Sequence, residues 1–547
     1  MSKVSGLLLS FSLFVAAYGF VFALLRLRCY STLCLQTQQT QLRTTWAVAG
    51  GYFAMCALFL YAFPHLPIRI KSFLQSEIYI IRKLRIKYEI SNRMLFRITW
   101  LDFIHTAILA TLLVFDFKYY FDAMYSSISH RVALHPIPGW KPDAAWWRST
   151  FVSAGHWCDV LIGLNLIPLS RHSFIAKVLG LSTGASIRYH QFTGNLLVLA
   201  VLWHGVIGYN VFLSKSSESF WSETFLLGTF GNGYTDYCIP FGIAAFLGLL
   251  MIRASSLPII RRRAYRLFLT LHYTFVIPFL TFASLHAVSN FYWTFPALAL
   301  YILDLIFRLY HYHKTLPARA INETPDIVRL DVKVGKRHVE PGQFFTLYIP
   351  AVSKVFSHPF SVAGIKGDTV SFLIKRHPSE KWTSSVCEIA EDIDRVALDG
   401  PFCHSPFDFN KVSGIACVVA GSGIAAAFSL IQKASSSGKP SFLIWSIRHP
   451  YWLDLSFLQE LCSLPKVYIQ ICYTGDPKEL EGPKKLEKSR SDFYRFTMGR
   501  VESKSFEFIT GDHIGLYICG PNQFMNHVQE LTFSKPIFVT FRETFEL

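Results

Sequence analysis

The sequence predicts a multi-span α-helical membrane bundle followed by a cytoplasmic module, an antiparallel β-barrel and then an α/β parallel-sheet domain. Three observations predict it. Of 547 residues, 52% are hydrophobic and 16% charged, where soluble globular chains carry about 25% charged residues. The charge is divided unevenly: residues 1–320 hold 28 Lys/Arg against 11 Asp/Glu, residues 321–547 hold 25 of each, and the excess of +17 therefore sits in the apolar half. From about residue 318 the long apolar runs give way to short β-rich ones.

Composition excludes a wholly soluble, a disordered and a fibrous chain. It also argues against a nucleic-acid partner, because the basic residues lie between hydrophobic runs and not on one soluble face. The 11 Cys are scattered with no Cys-x-x-Cys pair, which argues against a zinc ribbon or a disulfide framework.

Eight apolar stretches, near 6–25, 45–63, 97–117, 150–170, 190–212, 238–254, 268–288 and 291–311, approach the length that crosses ~30 Å of hydrocarbon. The first could be a signal sequence. It is read as a retained span, because "FVAAYGFVFALLRLR" stays apolar past any small-residue cleavage site. Lys and Arg set the orientation. Loop 64–97 holds eight of them, loop 171–188 holds three and loop 253–266 holds five, whereas the alternate loops 118–149, 213–237 and 289–292 hold four, one and none. The rich loops face the cytoplasm, and so does everything after about 318. The division expected is 1–94, two spans and a basic loop; 95–314, six spans; 315–408, the barrel; and 409–547, the α/β domain.

In the barrel region "DIVRLDVKV", "GQFFTLYIP" and "TVSFLIKR" alternate as strands do. From about 413, "IACVVAGSGIAAAFSLIQKA" reads as strand, glycine turn and helix, and "SFLIWSIR", "KVYIQICYT" and "IGLYICGP" read as further buried strands. Segment 474–492 is a charged surface insertion.

Four histidines recur at one spacing. His190 and His204 lie 14 residues apart in one span, and His272 and His286 lie 14 apart in another. Fourteen helical steps return to within about 40° of the start and rise roughly 21 Å. The two spans run parallel, so His190 is level with His272 and His204 with His286. Facing imidazoles on neighbouring helices can take both axial positions of a haem iron, and two pairs stack two haems across the membrane. Arg188 and Arg261–Arg263 would lie beside the inner one and could pair with its propionates. His105 and His156 lack partners at this spacing and are read as structural.

The soluble half carries its own motifs. "SHPFSVAG" holds His358, Pro359, Phe360 and Ser361; "KWTSS" with Trp382 and Thr383 reads as a polar turn able to meet a pyrophosphate; "DGPF" (399–402) reads as a tight turn. Gly421, Ser422, Gly423 and Ile424 join a strand to a helix, where backbone N–H groups favour a phosphate. Arg448 follows the next strand, where a cation could meet a ribose phosphate. Cys519, Gly520 and Pro521 close a late strand.

This ordered set, two His-x13-His spans followed by "HPFS", "WTSS", "GPF", "GSGI" and "CGP", resembles the ferric reductases and NADPH oxidases, flavocytochromes b of the membrane, over roughly 95–547. The resemblance implies a ferredoxin-reductase-like soluble module. It implies FAD at His358–Ser361 with Thr383 assisting, and NADPH as substrate at Gly421–Ile424, near Arg448, and at Cys519, Gly520 and Pro521. It implies two b-type haems on His190/His272 and His204/His286, and no catalytic side chain beyond this relay. The equal gaps are more similar to fungal metalloreductases than to superoxide-producing oxidases, whose second gap is typically one shorter.

Some residues depart from the family pattern. "GSGIAAA" lacks the usual Thr and Pro after Gly-Ile, Lys381 stands where Gly usually precedes "WT", and Leu547 stands where an aromatic residue often covers the flavin, a role Phe545 could serve in part. The activity implied is NADPH-dependent reduction of extracellular ferric, and also cupric, chelates at the plasma membrane, with an iron-uptake transporter downstream. Two alternatives stand beside it: an NADPH oxidase that makes superoxide, and a non-redox membrane scaffold or transporter with vestigial cofactor sites.

Overall fold

Each apolar stretch coincides with a helix in the computed structural model, which describes residues 3–26, 32–62, 65–67, 70, 74, 100–134, 144–167, 183–213, 239–353, 356–377, 380–402, 405–480, 494–532 and 538–543. The chain divides into two units, Met1–Ile306 and Phe307–Leu547.

The first unit is helical. Its elements are α1 (Lys3–Arg26), α2 (Thr32–Ala62), α3 (Trp100–Leu134), α4 (Ala144–Leu166), α5 (Thr183–Leu213), α6 (Ile239–Ser255), α7 (Pro258–Arg263) and α8 (Tyr265–His286), and α9 (Phe291–His313) begins in it. Among the described residues, Tyr189–Val211, Tyr265–His286 and Phe291–His313 are long and apolar enough to cross a membrane. Pro278 and Pro296 sit inside α8 and α9, which packed bundles tolerate because neighbouring groups re-satisfy the freed carbonyls.

Two expectations need correction. The stretch 97–117 does not end at a loop: α3 continues to Leu134, because no Gly or Pro interrupts it before Pro136 and Lys118 pairs with Asp122 one turn on at 2.7 Å. The basic loop 253–266 contains α7, started by Pro258 at its first position. Most of loop 64–97, and all of 171–182 and 214–238, lie outside the described residues.

Trp293, Tyr292 and Ala297 of α9 are fully buried in the bundle core. Gly163 of α4 makes room for them: a Cβ there would lie 2.9 Å from that of Trp293.

The second unit begins with a closed antiparallel barrel of β1 (Thr315–Thr324), β2 (Ile327–Lys333), β3 (Phe344–Tyr348), β4 (His358–Lys366), β5 (Thr369–Lys375) and β6 (Arg395–Phe402), in the order β1-β2-β5-β4-β3-β6. Val328, Leu330 and Val332 alternate inward and are fully buried, as the two-residue period of a strand requires. Between β5 and β6 lies α10 (Lys381–Glu388).

The parallel sheet follows, in the order β10-β9-β8-β7-β11-β12. Its strands are β7 (Gly414–Ala420), β8 (Ser441–Ile447), β9 (Val467–Tyr473), β10 (Tyr494–Met498), β11 (Ile514–Cys519) and β12 (Phe538–Glu543), with α11 (Ile424–Ser436), α12 (Ser456–Ser463) and α13 (Asn522–Thr532) between them. The central strands are apolar on both faces, as parallel sheets require when covered on both sides. Barrel and sheet meet through α11, whose Phe428 lies against Gly364 of β4, and through Glu323 of β1, which accepts from Arg329 Nη1 and from the Ser456 N–H, both at 2.8 Å. This is the ferredoxin-reductase-like arrangement expected. Of the insertion 474–492, residues 481–492 lie outside the described ones.

Candidate functional site

The bundle brings the four histidines together in two pairs. The ring centres of His190 and His272 lie 6.1 Å apart, and those of His204 and His286 lie 6.3 Å apart, at interplanar angles of 72° and 73°. A metal bonded to one nitrogen of each ring at about 2.0–2.1 Å, with each ring centre ~1.1 Å behind its nitrogen, separates the centres by about 6.3 Å. The spacing therefore suits a bis-imidazole metal site in each gap.

Hydrogen bonds decide which nitrogen is offered. His190 Nδ1 donates to the Asn165 carbonyl at 3.3 Å, and His204 Nδ1 donates to the Phe151 carbonyl at 3.1 Å. A carbonyl only accepts, so each Nδ1 carries the proton and each Nε2 keeps its lone pair. His272 Nδ1 meets Ser256 Oγ at 3.2 Å. That hydroxyl already donates to the Ile252 carbonyl at 2.7 Å, so it accepts from the ring. Such partners orient metal-binding imidazoles.

Close approach comes from glycines that the sequence reading did not single out. A Cβ on Gly155 would lie 3.1 Å from His204, and one on Gly242 would lie 2.7 Å from His286 Nδ1. Phe151, one turn before Gly155 on α4, stacks on His204 at 4.4 Å and 9°. Asn165 also holds the helix turn at His190, donating to the His190 carbonyl and to Thr193 Oγ1, both at 2.9 Å. The side chains of His105, Arg188 and Arg262 lie outside the described residues.

In the second unit the "HPFS" and "WTSS" segments meet. His358–Ser361 open β4, paired with β3 so that Phe345 faces Phe360 and Phe344 faces Ser361. The His358 ring lies 4.5 Å from that of Trp382, and Phe360 stacks on Trp382 at 5.8 Å. His358 Nδ1 is 3.1 Å from Glu380 Oε1, a partner that no motif signalled. "KWTSS" is not a polar turn but the start of α10, because Trp382 and Thr383 are buried against the barrel. Thr383 Oγ1 accepts from the His377 N–H at 3.1 Å and donates to the Glu380 carbonyl at 3.3 Å. "DGPF" is not a tight turn either. It is the end of β6, where Asp399 faces Thr346 and Phe402 faces Phe344 across a bulge.

The nucleotide motifs also converge. Parallel pairing sets Val419 of β7 beside Cys519 of β11, so the Gly421–Gly423 turn and Cys519–Gly520–Pro521 share one end of the sheet. Gly421 has φ +52°, a left-handed conformation suited to glycine. A Cβ on Gly423 would lie 3.0 Å from the Cys519 carbonyl and Sγ, so only a glycine lets the helix start this close to β11. Ile424, the first residue of α11, is buried. Burial pushes the Cys519 thiol up to about 12, which keeps it neutral and makes it a packing group, not a nucleophile. Arg448 is exposed just beyond β8. Phe545 and Leu547 lie outside the described residues.

Residues 154–283 match a family described as the ferric reductase like transmembrane component, and residues 313–405 match an FAD-binding domain. Ferric reduction oxidase 4 of Arabidopsis thaliana is 26% identical over 353 residues, covering 61% of this chain and 48% of that protein. Ferric reduction oxidase 2 of the same plant is 24% identical over 345 residues, covering 60% and 43%. The chain thus spans about half the length of these curated relatives. Among solved structures, the ferredoxin reductase in carbazole 1,9a-dioxygenase has a TM-score of 0.35 at 16% identity and covers 42% of this chain and 69% of that one. His190, His204 and His272 fall within the first match and the "HPFS" strand within the second, while His286 lies three residues past the end of the first. Over these two segments the chain is similar to the transmembrane component of ferric reductases and to an FAD-binding domain, in that order.

Proposed function

We propose that the chain is a transmembrane oxidoreductase that takes electrons from cytosolic NADPH and delivers them to ferric, and also cupric, chelates outside the plasma membrane. The observation that carries this reading is the pair of matched imidazole separations, 6.1 and 6.3 Å, at two levels of the same two helices. When bound, FAD supplies the exchange between a two-electron donor and single electrons, and two b-type haems supply one-electron carriers inside the hydrocarbon.

The chain's own residues position and tune. His190 with His272, and His204 with His286, would hold the haems, with the Nδ1 protons of His190, His204 and His272 held by their acceptors. His358, Pro359, Phe360 and Ser361 would hold the flavin beside Trp382, with the buried Thr383 shaping the first turn of α10. Gly421–Ile424 would receive the NADPH pyrophosphate at the N-terminus of α11. Arg448 would meet the ribose phosphate, and Cys519, Gly520 and Pro521 would wall the nicotinamide end. The corresponding division is 1–94, 95–314, 315–408 and 409–547.

An acceptor panel on intact cells tests the reading, scoring ferrous, cuprous and superoxide products against a reduced b-type spectrum. Ferrous product in excess is expected. Superoxide as the main product would make oxygen the acceptor, and a missing b-type spectrum would remove the conduit. A finer check is Ser256→Ala, which deletes the side-chain partner of His272. Loss of such a partner typically costs 10–100-fold in metal affinity, so retention of one haem, and not of the other, should fall on dilution by about that factor.

A further inference from the structure

A second polar centre lies in the first unit, outside the four histidines. His156 of α4 and Asp116 of α3 are 2% and 3% exposed, with His156 Nε2 3.1 Å from Asp116 Oδ1. The Tyr120 ring stacks on the imidazole at 4.2 Å and 12°, and its hydroxyl accepts from Gln41 Nε2 at 3.0 Å. One turn along α4, the buried Asp159 accepts from Ser289 Oγ at 2.7 Å and from Asn290 Nδ2 at 3.0 Å. The titratable groups gathered here are thus Asp116 and Tyr120 from α3, His156, Cys158 and Asp159 from α4, and Tyr292 from α9.

Two atoms decide what the centre can bind. His156 Nδ1 and Asp116 Oδ2 are buried and make no hydrogen bond. A carboxylate that accepts from Nε2–H leaves Nδ1 with a bare lone pair, which is a site for one proton. One open imidazole nitrogen beside one carboxylate suits a proton.

The place of the pair matters. Phe151 and Gly155, on another face of α4, lie against His204. At a separation on the order of one helix diameter, ~10 Å, and an effective dielectric of ~20, one added charge changes a proton affinity by roughly ten- to twentyfold.

We propose that His156 and Asp116 form an intramembrane proton-binding site that takes up one proton when the site between His204 and His286 gains an electron. This rests on the haem reading of those two histidines. The electron derives from NADPH. The proton comes from water at the end of the bundle that carries Ser289 and Asn290, and forms an N–H bond at His156 Nδ1. That bond breaks and the proton returns to water when the electron leaves for the ferric acceptor. Charge entering the membrane is thereby balanced locally.

The test is a spectroelectrochemical titration of the full chain in lipid nanodiscs across roughly pH 6–8, following the haem signal that His204→Ala removes. In the wild type the midpoint should fall as pH rises, by at most about 59 mV per unit, the value for one proton per electron. Asp116→Asn, which keeps the volume, and His156→Gln should both flatten this slope while retaining the signal. A flat wild-type profile, or equal slopes in wild type and variants, overturns the proposal. Absence of any haem signal in the wild type would instead overturn the functional reading on which it rests.

Discussion

Replacing His204 with Ala should lower reduction of the extracellular acceptor by at least about 100-fold while NADPH still reduces a soluble dye through the flavin. The ring sits 6.3 Å from His286 and is braced by the Phe151 carbonyl, the Phe151 ring and Gly155. Losing only the partner of a ligand costs 10–100-fold in affinity or activity, and losing the ligand itself costs at least the upper end of that range. His190→Ala, His272→Ala and His286→Ala should behave alike, because a conduit of two stations in series fails at either one. Each single variant should keep one haem signal and lose the other. Full ferric reduction in His204→Ala would exclude a path through this pair.

The second large effect belongs to the nucleotide turn. Gly423→Val should raise the KM for NADPH by about 10–100-fold, equivalent to about 1.4–2.8 kcal/mol. Even the first carbon of the new side chain would lie 3.0 Å from the Cys519 carbonyl and Sγ. The start of α11 must then move away from the end of β11, taking with it the N–H groups that, on the proposed reading, receive the pyrophosphate. Overpacking of this kind also costs about 1–3 kcal/mol of stability, so a thermal melt accompanies the kinetics. Transfer from dithionite-reduced flavin to the acceptor should be unchanged, because that step uses no nucleotide. An unchanged KM would place the pyrophosphate elsewhere.

The glycine and histidine variants differ in how far local sequence foresaw them. Gly421–Gly423 stood out because a glycine turn between a strand and a helix is a local pattern, and the four histidines stood out because their spacing matches the helical period. Gly155 and Gly242 carry no such pattern. Each matters only because another helix brings an imidazole to within about one atomic contact of it, across 49 residues in one case and 44 in the other. "KWTSS" and "DGPF" misled for a related reason. Both are polar or turn-rich as strings, yet Trp382 is buried and Asp399 pairs with β3, and burial and strand pairing outweigh local turn preference.

Hydropathy alone determined where the membrane helices lie, because entry into hydrocarbon depends on the composition of one contiguous segment. Alternation and glycine placement likewise marked the barrel and the parallel sheet. Only the tertiary structure decided which imidazoles meet, which of their nitrogens remain free, and that His156 finds Asp116 forty residues away. The physical reason is that helix facing and side-chain partnership are set by packing between segments distant in sequence, as where His190 and His204 take the carbonyls of Asn165 and Phe151 on α4.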